Sequence, residues 1–311
     1  VDPDEITYEL LRDDYRDEAI AKKRRSVRNG KMHFTRLDKF FGGWKLKDFT
    51  TKSLKLFRQE CLKTGLTNAG ANRQMAALRR MFNLGVQNHE DLKRSDIPSY
   101  FPMEKEPNKN PNAIFIERAW YDSLLRMLTE PLRSAFVVCY HTGMRVEEMR
   151  RLRWRHTDLK KKEILLPGEI TKTGDPRTVF IPRDFALKAG QPDDLIFPLD
   201  DKHTRTEWQN ACVRLGFGGY RCRSCGATWK GTERPASCTH IKHRLTYVGP
   251  LLRHTRHTAA RNMDAVMSRD RAKAIIGHQT DSMYTRYNIG KERDVEEARR
   301  LVEQAHRLKK G

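Results

Sequence analysis

Two short stretches place arginine where the chain turns into a helix, and a third places histidine ahead of two tyrosines. His141-Thr-Gly-Met-Arg145-Val-Glu-Glu148 sets Arg145 in a first helical turn, with Glu148 three residues on. Leu252-Arg253-His254-Thr-Arg256-His-Thr-Ala-Ala opens a second helix around Arg256, and Ile276-Gly-His278-Gln-Thr precedes Tyr284 and Tyr287. A turn, Lys172-Thr-Gly-Asp-Pro, lies between two short segments of strand character. These residue types are the set that breaking a phosphodiester without a metal requires. Planar guanidinium donors meet charge developing on the non-bridging oxygens. A tyrosine can attack in line, and lysine or histidine can protonate the leaving sugar oxygen. Each fragment alone also reads as a helix-terminal arginine packed on its neighbours. Their order and spacing together are hard to obtain by chance.

The elements that must position these residues follow from periodicity. Residues 1 to about 110 read as all-helical. Thr51 to Leu62 carries Leu54, Phe57, Cys61 and Leu62 at helical spacing, and Asn72 to Val86 has the stripe Met75, Leu78, Phe82 and Val86. Arg73, Arg79 and Arg80 leave that stripe on other faces, where contact with a nucleic-acid backbone is as good a reading as a solvated surface. Pro102 to Pro111 has no periodicity and reads as a linker, which we place at 106–112. Helical patterns resume at Glu117 to Leu128 and Pro131 to Tyr140. Short strands follow at Ile164 to Pro167 and Arg177 to Pro182. The fold class expected is mainly α with small β-hairpins (α+β): a helical domain over 1–105 and a second domain over 113–311. The latter carries an insertion at about 220–247.

Composition narrows the partner. The 311 residues hold 61 Lys and Arg against 40 Asp and Glu, a formal net charge of +21. Such a surplus fits a polyanion, because each neutralised phosphate releases condensed counterions. Between Glu207 and Asp264 the only acidic residue is Glu233, whereas the first twenty residues are acid-rich and read as a solvated helix face. No apolar run is long enough for a membrane span and no signal-peptide pattern opens the chain. The start at Val1, which is not Met, leads us to expect that the sequence begins inside a longer protein. Cys61, Cys139 and Cys212 sit alone in apolar contexts and read as core thiols. A reducing, cytoplasmic and nucleoid-associated location is therefore expected.

At these motifs the sequence resembles the tyrosine recombinase (phage integrase) family, over nearly the whole chain. TGMRVEEMRRLRW resembles the first arginine box, ITKTGDPRTVFIP the lysine hairpin, LLRHTRHTAARNM the second arginine box, and IIGHQTDSMYTRYNI the terminal pair. The resemblance implies Arg145, Lys172, Arg256, His278 and the nucleophile Tyr287 as catalytic residues, with Glu148 in support. Tyr284, three residues too early, is left a packing role. It further implies a helical core-binding domain beside a catalytic domain, double-stranded DNA as substrate, and a 3'-phosphotyrosyl intermediate. A homotetramer on paired sites is implied too, as is integration or excision of a mobile element, with no cofactor for catalysis.

One position departs from the family pattern. The residue three before the second arginine is usually histidine, and here it is Arg253, with His254 one place off. At a helix start that offset turns a side chain by roughly 100°, and arginine is a poor proton acceptor because its pKa stays above ~12. A catalytically decayed DNA-binding protein of the same fold is the alternative this departure raises.

Cys222-Arg-Ser-Cys225-Gly has the spacing of half a zinc ribbon, and Cys238, His240 and His243 follow. Three cysteines with His243, at Cys-x4-His spacing, or His240 would complete four ligands around a structural zinc. Thiols clustered with histidines have little packing reason to sit in a loop. The basic residues of the insertion suggest that it also touches DNA. A zinc-ribbon transcription factor would explain the cysteines but not the arginine, lysine and tyrosine boxes. A strand-nicking topoisomerase would share the chemistry, but the segment from His278 to Tyr287 is closer to an integrase.

Overall fold

The computed structural model describes residues 5–22, 27–106, 114–240 and 244–279, with residues 27–33 given as backbone only. The chain divides into two compact units, 1–107 and 108–311. No helix among the described residues is long and apolar enough to cross a membrane.

The first unit is helical, as its periodicity predicts: α1 (Tyr8–Ala21), α2 (Val27–Phe41), α3 (Thr51–Lys63) and α4 (Asn68–Asn88). Threonines start three of these helices, with Thr7, Thr50 and Thr67 each accepting a backbone N–H from the first turn. The core gathers Tyr8, Leu11, Phe41, Phe57, Met75, Leu78 and Phe82, with the Phe41 ring against Trp44, Phe49 and Phe57. The acidic first helix is less solvated than its composition suggests. Asp14 meets His89 at 2.8 Å and Glu18 meets Arg80 at 2.6 Å, so this face is partly joined to α4 and the residues after it.

The second unit comprises α5 (Arg118–Met127), α6 (Leu132–Thr142), α7 (Val146–Met149), α8 (Asp201–Arg214), α9 (Thr255–Asp264) and α10 (Arg269–Ile276), with two small sheets. Helix α6 is buried along most of its length and packs on α9. Its neighbours include Leu124, Phe197 and Trp208, and Cys139 and Cys212 are fully buried here, in accord with their apolar sequence contexts. One antiparallel sheet has the order β1 (Thr157–Asp158), β2 (Glu163–Leu166), β3 (Arg177–Phe180). Its register sets Ile164 opposite Val179, both buried.

The second sheet, β5 (Thr228–Lys230), β4 (Gly219–Cys222), β6 (Leu245–Val248), forms the insertion. Periodicity marked that segment only as an interruption; it is a three-stranded sheet. It joins the helical body through Pro250, whose carbonyl accepts from Trp208 Nε1 and from the Tyr247 hydroxyl, both at 2.8 Å.

Candidate active site and metal centre

Two helices of the second unit end on glycine in the left-handed region, Gly143 after α6 (φ 66°) and Gly277 after α10 (φ 76°). A Cβ at either would be strained and crowded: 3.2 Å from Ala259 Cβ at Gly143, and 3.0 Å from the Arg177 guanidinium at Gly277. Helix C-termini leave carbonyls without intrahelical partners and carry partial negative charge. Arginines occupy both ends. Arg256, 7 % exposed, donates through Nη1 to Gly143 O at 2.6 Å and Ile276 O at 2.7 Å, and through Nη2 to Gly277 O at 3.4 Å. Arg145 Nη2 reaches the same Gly277 carbonyl at 3.3 Å. Segments far apart in sequence thus hold two guanidiniums beside one carbonyl, immediately before His278.

Glu148 fixes Arg145 from the other side. Its carboxylate is buried, accepts the Arg145 backbone N–H at 3.1 Å, and accepts Arg145 Nη1 at 2.8 Å. It also receives Arg177 Nη2 at 2.5 Å. Burial works against the ionised form, yet the hydrogen bonds and charges of Arg177 and Arg145 hold this carboxyl below the usual range. The sequence reading missed Arg177. No motif separates it from the other basic residues; the only available signal was that a buried Glu148 needs more than one cation.

His278 is 6 % exposed. Burial first, then the charges of Arg256, Arg145 and Arg177, pushes it down to about 3, so the imidazole is neutral near pH 7. The lysine hairpin is tied to this segment twice. Arg177 Nε donates to Ile275 O at 3.1 Å, and Gln279 Nε2 donates to Asp175 at 2.7 Å. Lys172 is exposed in the turn that carries Asp175.

The second box places its residues unequally. Arg253 is exposed in a 3-10 turn, Leu252–His254, and among the described residues its side chain has no ion pair or hydrogen bond. His254 is half-buried. Its Nδ1 accepts the Leu251 N–H at 3.1 Å, and its ring stacks on His257 with centroids 5.4 Å apart. Burial, His257 and Arg253 push it down to about 4. In the first unit Arg73 and Arg79 are exposed, while Arg80 is engaged with Glu18. Tyr284 and Tyr287 lie outside the described residues.

A second cluster lies in the insertion. One ligand atom from each of Cys222, Cys225, Cys238 and His240 falls within 4.8 Å of the others. The turn after β4 builds it: Cys222 N donates to Ala227 O at 2.8 Å and Gly226 N to Cys222 O at 3.0 Å. The amides of Cys225 and Ser224 help pull the Cys222 thiol down to about 7, which favours the thiolate a metal takes. Arg234 donates to Cys238 Sγ at 3.3 Å. His240 stands in the cluster; His243 lies outside the described residues.

Residues 115–191 match the model of the phage integrase family. Among solved structures, a lambda integrase dimer bound to a COC' core site is similar at TM-score 0.61 and 15 % identity. That match covers 91 % of this chain and 77 % of that one. The Tn1549 transposon integrase in complex with a circular intermediate DNA gives 0.60 and 14 %, covering 96 % and 99 %. A lambda integrase tetramer bound to a Holliday junction gives 0.59 and 15 %, covering 89 % and 79 %. No curated protein sequence matches the chain. At these identities the structural likeness establishes the fold.

Proposed function

We propose that this chain is a site-specific recombinase of the phage integrase family that cuts and rejoins duplex DNA through a 3'-phosphotyrosyl intermediate. The observation that carries the reading is the convergence of Arg145 and Arg256 on one carbonyl next to His278. Rigid helix ends hold both guanidiniums in place before any substrate arrives, as electrostatic stabilisation of a developing charge demands.

In this reading Arg145 and Arg256 bind the non-bridging oxygens of the scissile phosphate, and Glu148 with Arg177 fixes the first of them. The Tyr287 hydroxyl attacks phosphorus, giving up its phenolic proton to solvent, and the bond to the 5' oxygen breaks. That oxygen takes a proton from Lys172, and the 3' phosphate stays on the tyrosine. A 5' hydroxyl from the partner strand then attacks the phosphotyrosine and releases Tyr287, so bond energy is kept and no nucleotide cofactor is needed. Neutral His278 offers a ring nitrogen to the phosphate. Arg253 adds positive charge without exchanging a proton. The helical unit, with Arg73 and Arg79, contributes backbone contacts. Integration or excision of a mobile element by four protomers on paired sites agrees with what the similar integrases are bound to.

Cys222, Cys225, Cys238 and His240 would hold one structural zinc. Tetrahedral Zn–S bonds of ~2.3 Å put sulfurs about 3.8 Å apart, a small contraction from the spacing found here. Four protein ligands leave no open position, so the metal supports a sheet with little apolar content and takes no part in the chemistry.

The direct experiment is to trap a covalent adduct on a nicked duplex carrying the core site. Wild type should form it. Tyr287→Phe should bind DNA and form none, and Tyr284→Phe should form it. Loss of adduct in Tyr284→Phe with retention in Tyr287→Phe would overturn the assignment of the nucleophile.

A further inference from the structure

The insertion sheet has two unlike faces. Its register sets Tyr220 opposite Trp229 on one side and Tyr247 on the other, and these half-buried rings lie on the inner face with buried Cys222. The rings contact one another at centroid distances of 6.0 Å and 6.3 Å, and Tyr247 is anchored on Pro250. The alternate positions form the outer face: Arg221 opposite Thr228 and Thr246, with Lys230 diagonal to Arg221. Arg223 lies over the same face and donates to Thr246 Oγ1 at 2.7 Å. Arg221, Arg223, Lys230, Thr228 and Thr246 are all exposed.

These cations differ from the ion-paired ones on the molecule. Arg118 pairs with Asp122, Arg155 with Asp193 and Arg261 with Glu117. None of Arg221, Arg223 and Lys230 forms an ion pair among the described residues, and the whole stretch from Gly219 to Val248 holds one acid, Glu233. Like charges on one sheet face repel, and the sheet register keeps these on one side. Threonine hydroxyls between cations are donors to phosphate oxygens. An interface for a protein would present an aromatic core, but here every ring of the sheet turns inward.

We propose that the outer face of this sheet is a second DNA contact, gripping the phosphate backbone beside the cut through Arg221, Arg223 and Lys230. The placement rests on the recombinase reading, which puts Arg256 at the scissile phosphate. The chain from Thr246, which pairs with Arg221, to Arg256 spans at most about 35 Å at ~3.5 Å per residue, close to one ~34 Å turn of duplex. The contact therefore falls on flanking phosphates within about a turn of the cut.

The test is the salt dependence of binding to a random-sequence duplex of about 30 base pairs, roughly three turns. Each phosphate contact contributes ~0.9 to the slope of log affinity against log salt, so the triple variant Arg221→Gln, Arg223→Gln, Lys230→Gln should lower the slope by about 2.7. Bound metal and melting temperature should be unchanged. If the triple variant misfolds, Arg221→Gln and Lys230→Gln singly should each remove ~0.9. An unchanged slope in folded variants overturns the proposal. A lowered slope with no covalent adduct from wild type on a nicked core site would keep this surface and defeat the recombinase reading instead.

Discussion

Glu148 and Arg177 meet at 2.5 Å between α7 and β3, with both side chains under 10 % exposed. The carboxylate serves two masters of like charge, since Arg145 reaches its other oxygen at 2.8 Å. Removing one partner of a buried pair leaves an uncompensated charge and typically costs ~3–5 kcal/mol. Arg177→Met should therefore lower unfolding stability in urea titration, but by less than that, because Arg145 still pairs with Glu148. Arg177→Lys keeps the charge but loses the planar fork. It should slow adduct formation more than it weakens DNA binding. A loss of binding equal to the loss of cleavage would make Arg177 an ordinary phosphate contact.

Arg145 and Arg256 should separate in a second way. Either change to Ala should cut adduct formation by a factor on the order of 10² or more, while binding, held by many other cations, falls far less. Arg256 also satisfies carbonyls of Gly143, Ile276 and Gly277. Arg256→Ala should then melt well below wild type, whereas Arg145→Ala, which surrenders one backbone contact and one of the two cations on Glu148, should melt closer to it because Arg177 still pairs with that carboxylate. Equal melting of the two variants would contradict this picture of Arg256.

The cluster of Arg145, Glu148 and Arg256 around Gly277 was legible because its signals are local. Helical stripes, the turns around Arg145 and Arg256, and the glycines of Thr-Gly-Met-Arg and Ile-Gly-His each depend on a few neighbouring residues. The Arg145–Glu148 pair follows from three-residue helical spacing. Arg177 was not legible, because its meaning comes from a carboxylate 29 residues away. The insertion sheet was missed for another reason. Its strands are three or four residues long and broken by glycine and cysteine turns, too short for an alternation to stand out. The cluster spacing did show through; among the described residues His240 stands with the three cysteines, and His243, which the spacing favoured, lies outside them.

Acid should unfold this protein partly through its histidines. His278 titrates near 3 and His254 near 4 in the folded state, against ~6.5 unfolded. The unfolded chain binds the protons first, so their contribution to stability is present above pH ~6.5 and is lost as pH falls through the folded values. Each proton gives a slope of up to about 1.4 kcal/mol per pH unit in that window. Urea midpoints between pH 7 and 4 should fall, and fall less steeply in His278→Asn. An identical slope in that variant would mean His278 is not held neutral.

Metal analysis of protein purified without chelator should find about one zinc per chain, and Cys222→Ser or Cys238→Ser should release it. His240→Ala should weaken retention while His243→Ala leaves it, because His240 stands within 4.8 Å of the sulfurs. Zinc-free wild type, or release by His243→Ala alone, would refute this ligand set.

The remaining test concerns the position where histidine is usual. His254 cannot easily serve in its place: Nδ1 is taken by the Leu251 N–H, the ring is stacked on His257, and the group titrates near 4. Arg253 is exposed and among the described residues its side chain has no ion pair or hydrogen bond, so it can turn to a phosphate. Arg253→Ala should slow cleavage, and His254→Ala should cost some stability through its lost backbone contact but little cleavage. Arg253→His should preserve or raise the rate, since imidazole supplies a donor and an exchangeable proton near neutral pH. Strong loss in His254→Ala with none in Arg253→Ala would show that His254 does the work despite its capped nitrogen. Adduct formation that appears only in Arg253→His would mark the wild-type chain as a decayed enzyme that still binds DNA.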